Sequence, residues 1–393
     1  MNGTIYMPVG EVCSSISDTY REKKNMVTLI NTSDVLEGRV LNHERVPNSN
    51  LKGQFKKTFQ RDDILYSEIR PQNRRFAYVD FSPIDYIAST KLMVIRAKKD
   101  VVSPKYLYYF LKNSSTVAEL QLLAETRSGT FPQITFSEVA NLTIPVPSLA
   151  VQEVIVQTMQ CLEDKITCNE QINDNLEQQA QSYFQELFVD NADPEWAIGT
   201  ISDLGTVVGG STPSKAKPEY YTESGIAWIT PKDLSINKSK FVSHGENDIT
   251  ELGLKNSSAA IMPEGTVLFS SRAPIGYIAI AAGEVTTNQG FKSVVPKPEI
   301  GTPFVYFFLK NTLPVIEGMA SGSTFKEVSG STMKKVPAVI PDAETLAKFS
   351  DFCAPIFAQQ RILEEQNQSL ATLRDNLLPK LMSGEIDVSA VQI

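Results

Sequence analysis

Between residues 149 and 188 the chain carries neither proline nor glycine, and its apolar residues recur at heptad spacing. Ile155, Leu162, Leu176 and Tyr183 fall on one heptad position, and Met159, Ile166, Ala180 and Leu187 on a second. A 3.5-residue apolar repeat predicts one long helix with a narrow seam. The same register carried forward places Phe349, Ile356, Leu363, Leu370 and Leu377 on the first position and Cys353 and Leu381 on the second. Asn173 and Asn367 interrupt the two seams at the same place (367 − 173 = 194). A polar residue there costs stability but fixes register and partner. The two helices are therefore expected to pair with each other. Pro355, inside the second, should kink it or mark its start. The tail LRDNLLPKLMSGEIDV, with Pro379 shortly before a Ser-Gly stop, is expected to leave the seam and pack on its own domain or on a partner.

Ahead of each helix lies a segment with shorter periods. In residues 1–147, DILYSEI, FAYVDF and TKLMVIRA have strand-type patterning and are separated by turn-rich pieces such as VPNSNLKG. SPKYLYYFLKN reads as a helix opened by Ser103 and Pro104 and amphipathic through Leu107, Phe110 and Leu111. Residues 191–341 repeat the plan: GTVLFSSRAP answers DDILYSEIRP, TPFVYFFLKN answers SPKYLYYFLKN, and Ser323–Phe325 answers Gly129–Phe131. We therefore expect a mixed α/β protein built as a pseudo-twofold internal repeat. Its parts are a globular module (1–147), a helical spacer (148–190), a second module (191–341), and a second spacer with its tail (342–393).

At 393 residues the chain is too long for one ordinary core. It contains no run of ~20 apolar residues and opens without a basic segment leading into an apolar one, so a cytoplasmic location is expected. The four cysteines form no CxxC pair and are expected to be reduced and structural. Charge is unevenly spread. Residues 1–147 hold 19 basic and 15 acidic side chains, 148–190 hold 1 and 8, 191–341 hold 13 and 14, and 342–393 hold 4 and 8. The acidic helices would repel phosphate, so any nucleic-acid contact belongs to the modules.

A search for catalytic chemistry finds no GxxxxGK[ST] loop, no GxGxxG after a strand and no Asp/Asn-Pro-Pro-aromatic loop of an amino-methyltransferase. His43 and His244 stand in polar, loop-like surroundings, Asp62 and Asp63 read as a turn cap, and Glu364 and Glu365 read as an exposed helical face. No metal or cofactor is expected, and a binding protein is the better reading. The modules offer cations and amides laced with aromatics, types that pair with phosphate or with base edges. In the first these are Lys56, Lys57, Arg61, Arg70, Gln72, Arg74, Arg75 and Thr130; in the second, Lys215, Lys217, Tyr220, Lys232, Arg272, Asn288, Gln289 and Thr324. Trp228 is as readily a core residue as a contact.

GGSTPSKAKPEYYTESGIAWITPKDL, GTVLFSSRAPIG, TTNQGF, STF before a proline-bounded strand and long helix, and LRDNLLPKLMSGEI together resemble the specificity subunit of type I restriction-modification systems. The likeness spans essentially the whole chain; the first module shares the architecture but lacks the TPS and WIT segments. The resemblance implies two target recognition domains separated by an antiparallel coiled coil. It also implies a bipartite target in double-stranded DNA, no catalysis of its own, and docking of two methyltransferase and two restriction-translocase subunits. Two other readings stay open: the recognition part of a related methyltransferase-nuclease system of another type, and a coiled-coil adaptor without nucleic acid.

Overall fold

A computed structural model describes residues 4–49, 53–127, 130–322 and 326–388. They divide into two compact units, one of Met1–Ile166 with Ser369–Ile393, the other of Thr167–Gln368.

The first unit contains two four-stranded sheets. In one the order is Cys13–Ile16, Leu92–Ala97, Ile64–Ser67 and Phe76–Tyr78, all antiparallel. In the other it is Arg45–Pro47, Met26–Ile30, Tyr86–Ser89 and Phe55–Lys57, with a parallel central pair. A ribbon pairs Ile5–Pro8 with Thr143–Val146. The expected helix runs Pro104–Lys112, with proline in its first turn, where the missing N–H has no partner to lose. Its buried Tyr106, Leu107 and Tyr109 join Ile64, Tyr66, Phe76 and Ile95 in one core, which also takes in Ile155, Val156 and Met159. Leu378, Leu381, Met382 and Val388 complete that core. The C-terminal tail is thus a core component of this unit, with roughly 1.5–3 kcal/mol gained per large apolar side chain buried.

In the second unit a five-stranded sheet runs Gly205–Gly209, Lys292–Pro296, Val267–Ser271, Ile275–Ala281 and Phe241–Val242. A four-stranded sheet orders Tyr221–Thr222, Asn247–Ile249, Ile226–Ile229 and Thr286–Thr287, and a ribbon pairs Ala197–Thr200 with Pro337–Ile340. Phe304, Phe307, Phe349, Phe184 and Phe269 fill the larger core.

The sequence repeat is a repeat of backbone bonding. Ile134 N donates to Glu68 O (2.9 Å), and Val328 N to Ser271 O (3.0 Å). Likewise Glu68 N donates to Lys91 O (3.0 Å), and Ser271 N to Gly290 O (2.7 Å). Residues 134 and 328 differ by the offset of the seams (328 − 134 = 194).

The first long helix spans Leu149–Gln185 and ends in a π-turn, Glu186–Asp190. The second spans Ala343–Ser383. Asp342 accepts from Thr345 N (2.9 Å) at its entry, so Pro355 does not mark the helix start, and the chain stays helical through Pro379 as well. Within the second unit the helices run antiparallel, with Tyr183 against Phe349, Asn173 bonded to Gln360 and Asn169 to Asn367. Asn367 therefore faces Asn169, which is fully buried, and Asn173 donates to the Gln360 carbonyl (3.4 Å). Of the seam residues, Ile155, Ile356 and Leu363 are buried, whereas Leu162, Ile166, Leu176, Leu370 and Leu377 are half-buried.

A polar cluster fixes the second module on its helices. Lys240 Nζ donates to Glu177 Oε2 (2.8 Å) and Gln360 Oε1 (2.9 Å) and lies 3.5 Å from the Phe357 ring centroid. Glu177 also accepts from Tyr306 OH (3.1 Å) and Lys310 Nζ (2.5 Å). Glu364 is half-buried, correcting its reading as an exposed residue, and its carboxylate accepts from Lys240 N (2.7 Å) and Phe241 N (3.0 Å). Burial pulls the Lys240 ammonium down to about 8.

Candidate nucleic-acid interface

In the first module the candidate cations divide by commitment. Lys56 and Arg61 are exposed. Lys57 is half-buried, donates to Leu92 O (2.8 Å) and has its pKa lowered by burial. Arg75 donates to Ser33 O (2.9 Å), and Arg74 to Ser114 Oγ (2.8 Å). Lys57 thus ties one strand to another, while Arg74 and Arg75 brace loops and keep part of their surface in solvent. Arg70, Gln72 and Thr130 are exposed. Arg70 and Arg74 bound a 3-10 turn at Pro71–Asn73, each with positive φ (45° and 51°). The turn is anchored by Arg70 N to Pro132 O (3.1 Å) and Gln72 N to Gln121 Oε1 (3.2 Å). Arg70, Gln72 and the Thr130–Gln133 segment thus share one edge, joined there by Lys91, which reaches Gln133 Oε1 (3.3 Å).

The second module gathers its motifs more tightly. Ser211 N donates to Thr287 O (2.9 Å), and Gly210 packs so close to Asn288 O that a Cβ there would lie 1.9 Å from it. Only glycine fits that approach. Trp228 is buried and its Nε1 donates to Ser211 O (3.0 Å), so it supports the loop from beneath. Thr212 Oγ1 donates to Gln289 Oε1, and Asn288 Oδ1 accepts from Gly290 N (2.8 Å) to hold the turn. Arg272, partly exposed, faces Glu327 at 3.6 Å. Lys215 and Lys217 are exposed, Lys217 near Glu219 at 3.6 Å; Tyr220 is half-buried. Lys232 pairs with Glu246 (2.6 Å), and that hydrogen bond raises its pKa. Thr324 lies outside the described residues. Sequence reasoning passed over Lys292, whose Nζ donates to Gln289 O (3.3 Å) and lies 3.9 Å from Glu327. Its position directly after NQGF was the available signal.

The remaining titratable candidates are structural. Asp63 is fully buried and bidentate to Arg96 (2.7 and 2.8 Å), and Asp62 pairs with Lys99 (2.6 Å). His43 meets Tyr86 OH at 2.8 Å. His244 lies 3.5 Å from the Asp248 carboxylate. Among the described residues no group of three or more His, Cys, Asp or Glu could hold a metal ion. No helix of the described residues is long and apolar enough to cross a membrane.

A repeated mixed module, each copy followed by a long helix and each presenting cations and amides from loops, defines a two-module DNA-specificity protein. The model of the type I restriction modification DNA specificity domain matches the chain twice, over residues 6–178 and 194–373. The chain belongs to that family of type I restriction specificity subunits, whose role is non-catalytic. It is 30% identical to the specificity subunit of the type I restriction enzyme HindI from Haemophilus influenzae, over 92% of this chain and 94% of that protein. It is 39% identical to the MjaIX specificity subunit from Methanocaldococcus jannaschii, over 47% of this chain and 45% of that protein. In fold it is similar to the S subunit of a type I restriction-modification system from M. genitalium, with a TM-score of 0.55 at 17% identity over 97% of this chain and 96% of that one.

Proposed function

We propose that the chain reads a bipartite target in double-stranded DNA, residues 1–147 recognising one half and 191–341 the other, while residues 148–190 and 342–393 act as spacers. The observation that carries this is the pair of modules with one pattern of backbone bonding and different side chains on their loops. One scaffold used twice with different donors suits two different half-sites. Two methyltransferase subunits would dock on the repeated faces, since a twofold repeat offers equivalent surfaces to two identical partners. Two restriction-translocase subunits would join them, and the assembly would work in the cytoplasm.

Arg70→Ala is expected to harm recognition of one half-site only, and Lys215→Ala with Lys217→Ala recognition of the other only. A lost base contact costs about 1–3 kcal/mol at its own position, whereas a lost phosphate contact weakens all sequences alike. Methylation of substrates with one half scrambled gives the readout, and a first-module variant that altered preference in both halves would overturn the modular assignment.

With a formal net charge of −8, the chain alone is expected to bind its target weakly and to tighten sharply with its methyltransferase, because few net phosphate contacts come from its own surface. Gel-shift titration across salt concentrations checks this. Equal, salt-insensitive affinity with and without the partner would contradict it.

A further inference from the structure

The same backbone corner occurs in both modules and carries a carboxylate each time, supplied by different residues. In the second module Arg272 and Glu327 form a bridge at the end of the strand Val267–Ser271. Glu327 meets Arg272 at 3.6 Å and Lys292 at 3.9 Å, and its side chain remains 40% exposed. In the first module the matching bridge joins Ile69 and Gln133. There the carboxylate is Glu68, 3.4 Å from Lys91. The backbone bonds of the two corners superimpose Glu68 on Ser271 and Gln133 on Glu327. The acid has therefore changed strands while the corner has kept its shape.

A carboxylate beside cations that meet phosphate weakens that binding by like-charge repulsion. Its presence at both corners calls for a partner that wants an acceptor. In the major groove that partner is an exocyclic amine, the N4 of cytosine or N6 of adenine, whereas guanine O6 and N7 and thymine O4 are acceptors and repel it. The neighbouring cations hold the carboxylate at the edge where Gln289 and Arg272, or Arg70 and Gln133, also emerge.

We propose that Glu327 in the second module and Glu68 in the first are specificity-determining residues, each accepting a hydrogen bond from a base amine in the half-site its own module reads. This rests on the reading of the modules as DNA-recognition domains. Both corners use the cation next to the acid, Arg272 with Lys292 or Lys91, to orient the carboxylate.

The test maps methylated positions genome-wide in cells carrying the full chain with its methyltransferase, for the wild type, Glu327→Gln and Glu68→Gln. Both side chains are partly exposed, and thermal unfolding of each purified complex verifies folding. The expected result is that Glu327→Gln relaxes one base pair of one half-site by about tenfold and leaves the other half intact, with Glu68→Gln acting on the opposite half. An unchanged motif, or a uniform fall in methylation without a change of preference, would overturn the assignment and leave the acids as ion-pair partners. If the wild type yields a bipartite motif and these variants do not shift it, this inference alone fails. If the wild type yields no sequence motif, the reading of the modules fails with it.

Discussion

Glu177→Ala is expected to lower the unfolding free energy of the second unit by about 3 kcal/mol, because it leaves the Lys240 ammonium buried without its charged partner. Lys240 is 7% exposed and enclosed by Phe357, Tyr306 and Phe307. Lys310 and Tyr306 lose the same acceptor. Changing both members, Glu177→Leu with Lys240→Met, is expected to recover most of the loss, since apolar replacement of a whole buried pair is often near neutral. Urea unfolding midpoints give both comparisons, and equal losses in the single and double variants would remove the ion pair from the explanation. The pH dependence has a definite sign. Burial alone would raise the Glu177 carboxyl, but Lys240 and Lys310 outweigh it and hold it at about 2 against an ordinary 4.5. Its contribution is therefore complete above pH 4.5 and is lost as pH falls toward 2, so the gap between wild type and Glu177→Gln should narrow across that interval. Lys240, held at about 8 against an ordinary 10.5, acts in another window. Between those values the unfolded chain binds more protons, and the group's contribution to stability rises with pH.

Insertion of one heptad into each long helix is expected to lengthen the gap between half-sites by ~3 base pairs while leaving both half-site sequences unchanged. Seven residues preserve the 3.5-residue seam and add about 10 Å of helix, and duplex DNA rises about 3.4 Å per base pair. The insertion points are set by the unit boundaries, after Ile166 in the first helix and after Gln368 in the second. Both lie outside the Asn169, Asn173, Gln360 and Asn367 layer and away from the Lys240 cluster, so neither polar network is cut. Three added base pairs also turn the duplex by roughly a third of its 10 to 10.5 base-pair repeat, so methylation efficiency should fall as the gap grows. Genome-wide mapping of methylated positions reads gap and half-sites together. A folded, active variant with its original gap would show that the helices do not set the spacing.

Much of the architecture was legible because it rests on long, regular periods. The seam through Ile155, Leu162 and Leu176 and its echo through Ile356, Leu363 and Leu370 depend only on spacing, and the paired strands and helices of the modules depend on local patterning. What escaped were the choices made by antiparallel register. Asn169 stands on the first seam position between Leu162 and Leu176, yet that it meets Asn367 follows only from the running direction and offset of the two helices. Glu364 looked like a solvated surface residue because its partners are backbone N–H groups more than a hundred residues earlier, and backbone donors leave no mark in a sequence. The site was legible as residue types and not as commitments. Lys57, Arg74 and Arg75 looked equivalent to Arg70 until their hydrogen bonds separated braces from free cations, and Lys292 became a member only once strand pairing set it beside Glu327.

The polar layer also bears on which helices can pair. Asn169 opposes Asn367, and Asn367 corresponds to Asn173 in the first copy of the repeat. Two copies of the first helix, paired with the same offset, would therefore bring Asn169 of each against Asn173 of the other and close the layer about a true twofold axis. Two copies of the second helix would set Asn367 against Leu363, the counterpart of Asn169, and strand the amide against an apolar side chain. The first helix is thus self-complementary at this layer, and the second is not. Within the chain the same offset sets Asn173 level with Leu363, and the Asn173 amide donates instead to the Gln360 carbonyl, so pairing the two unlike helices leaves one seam amide to be met by backbone.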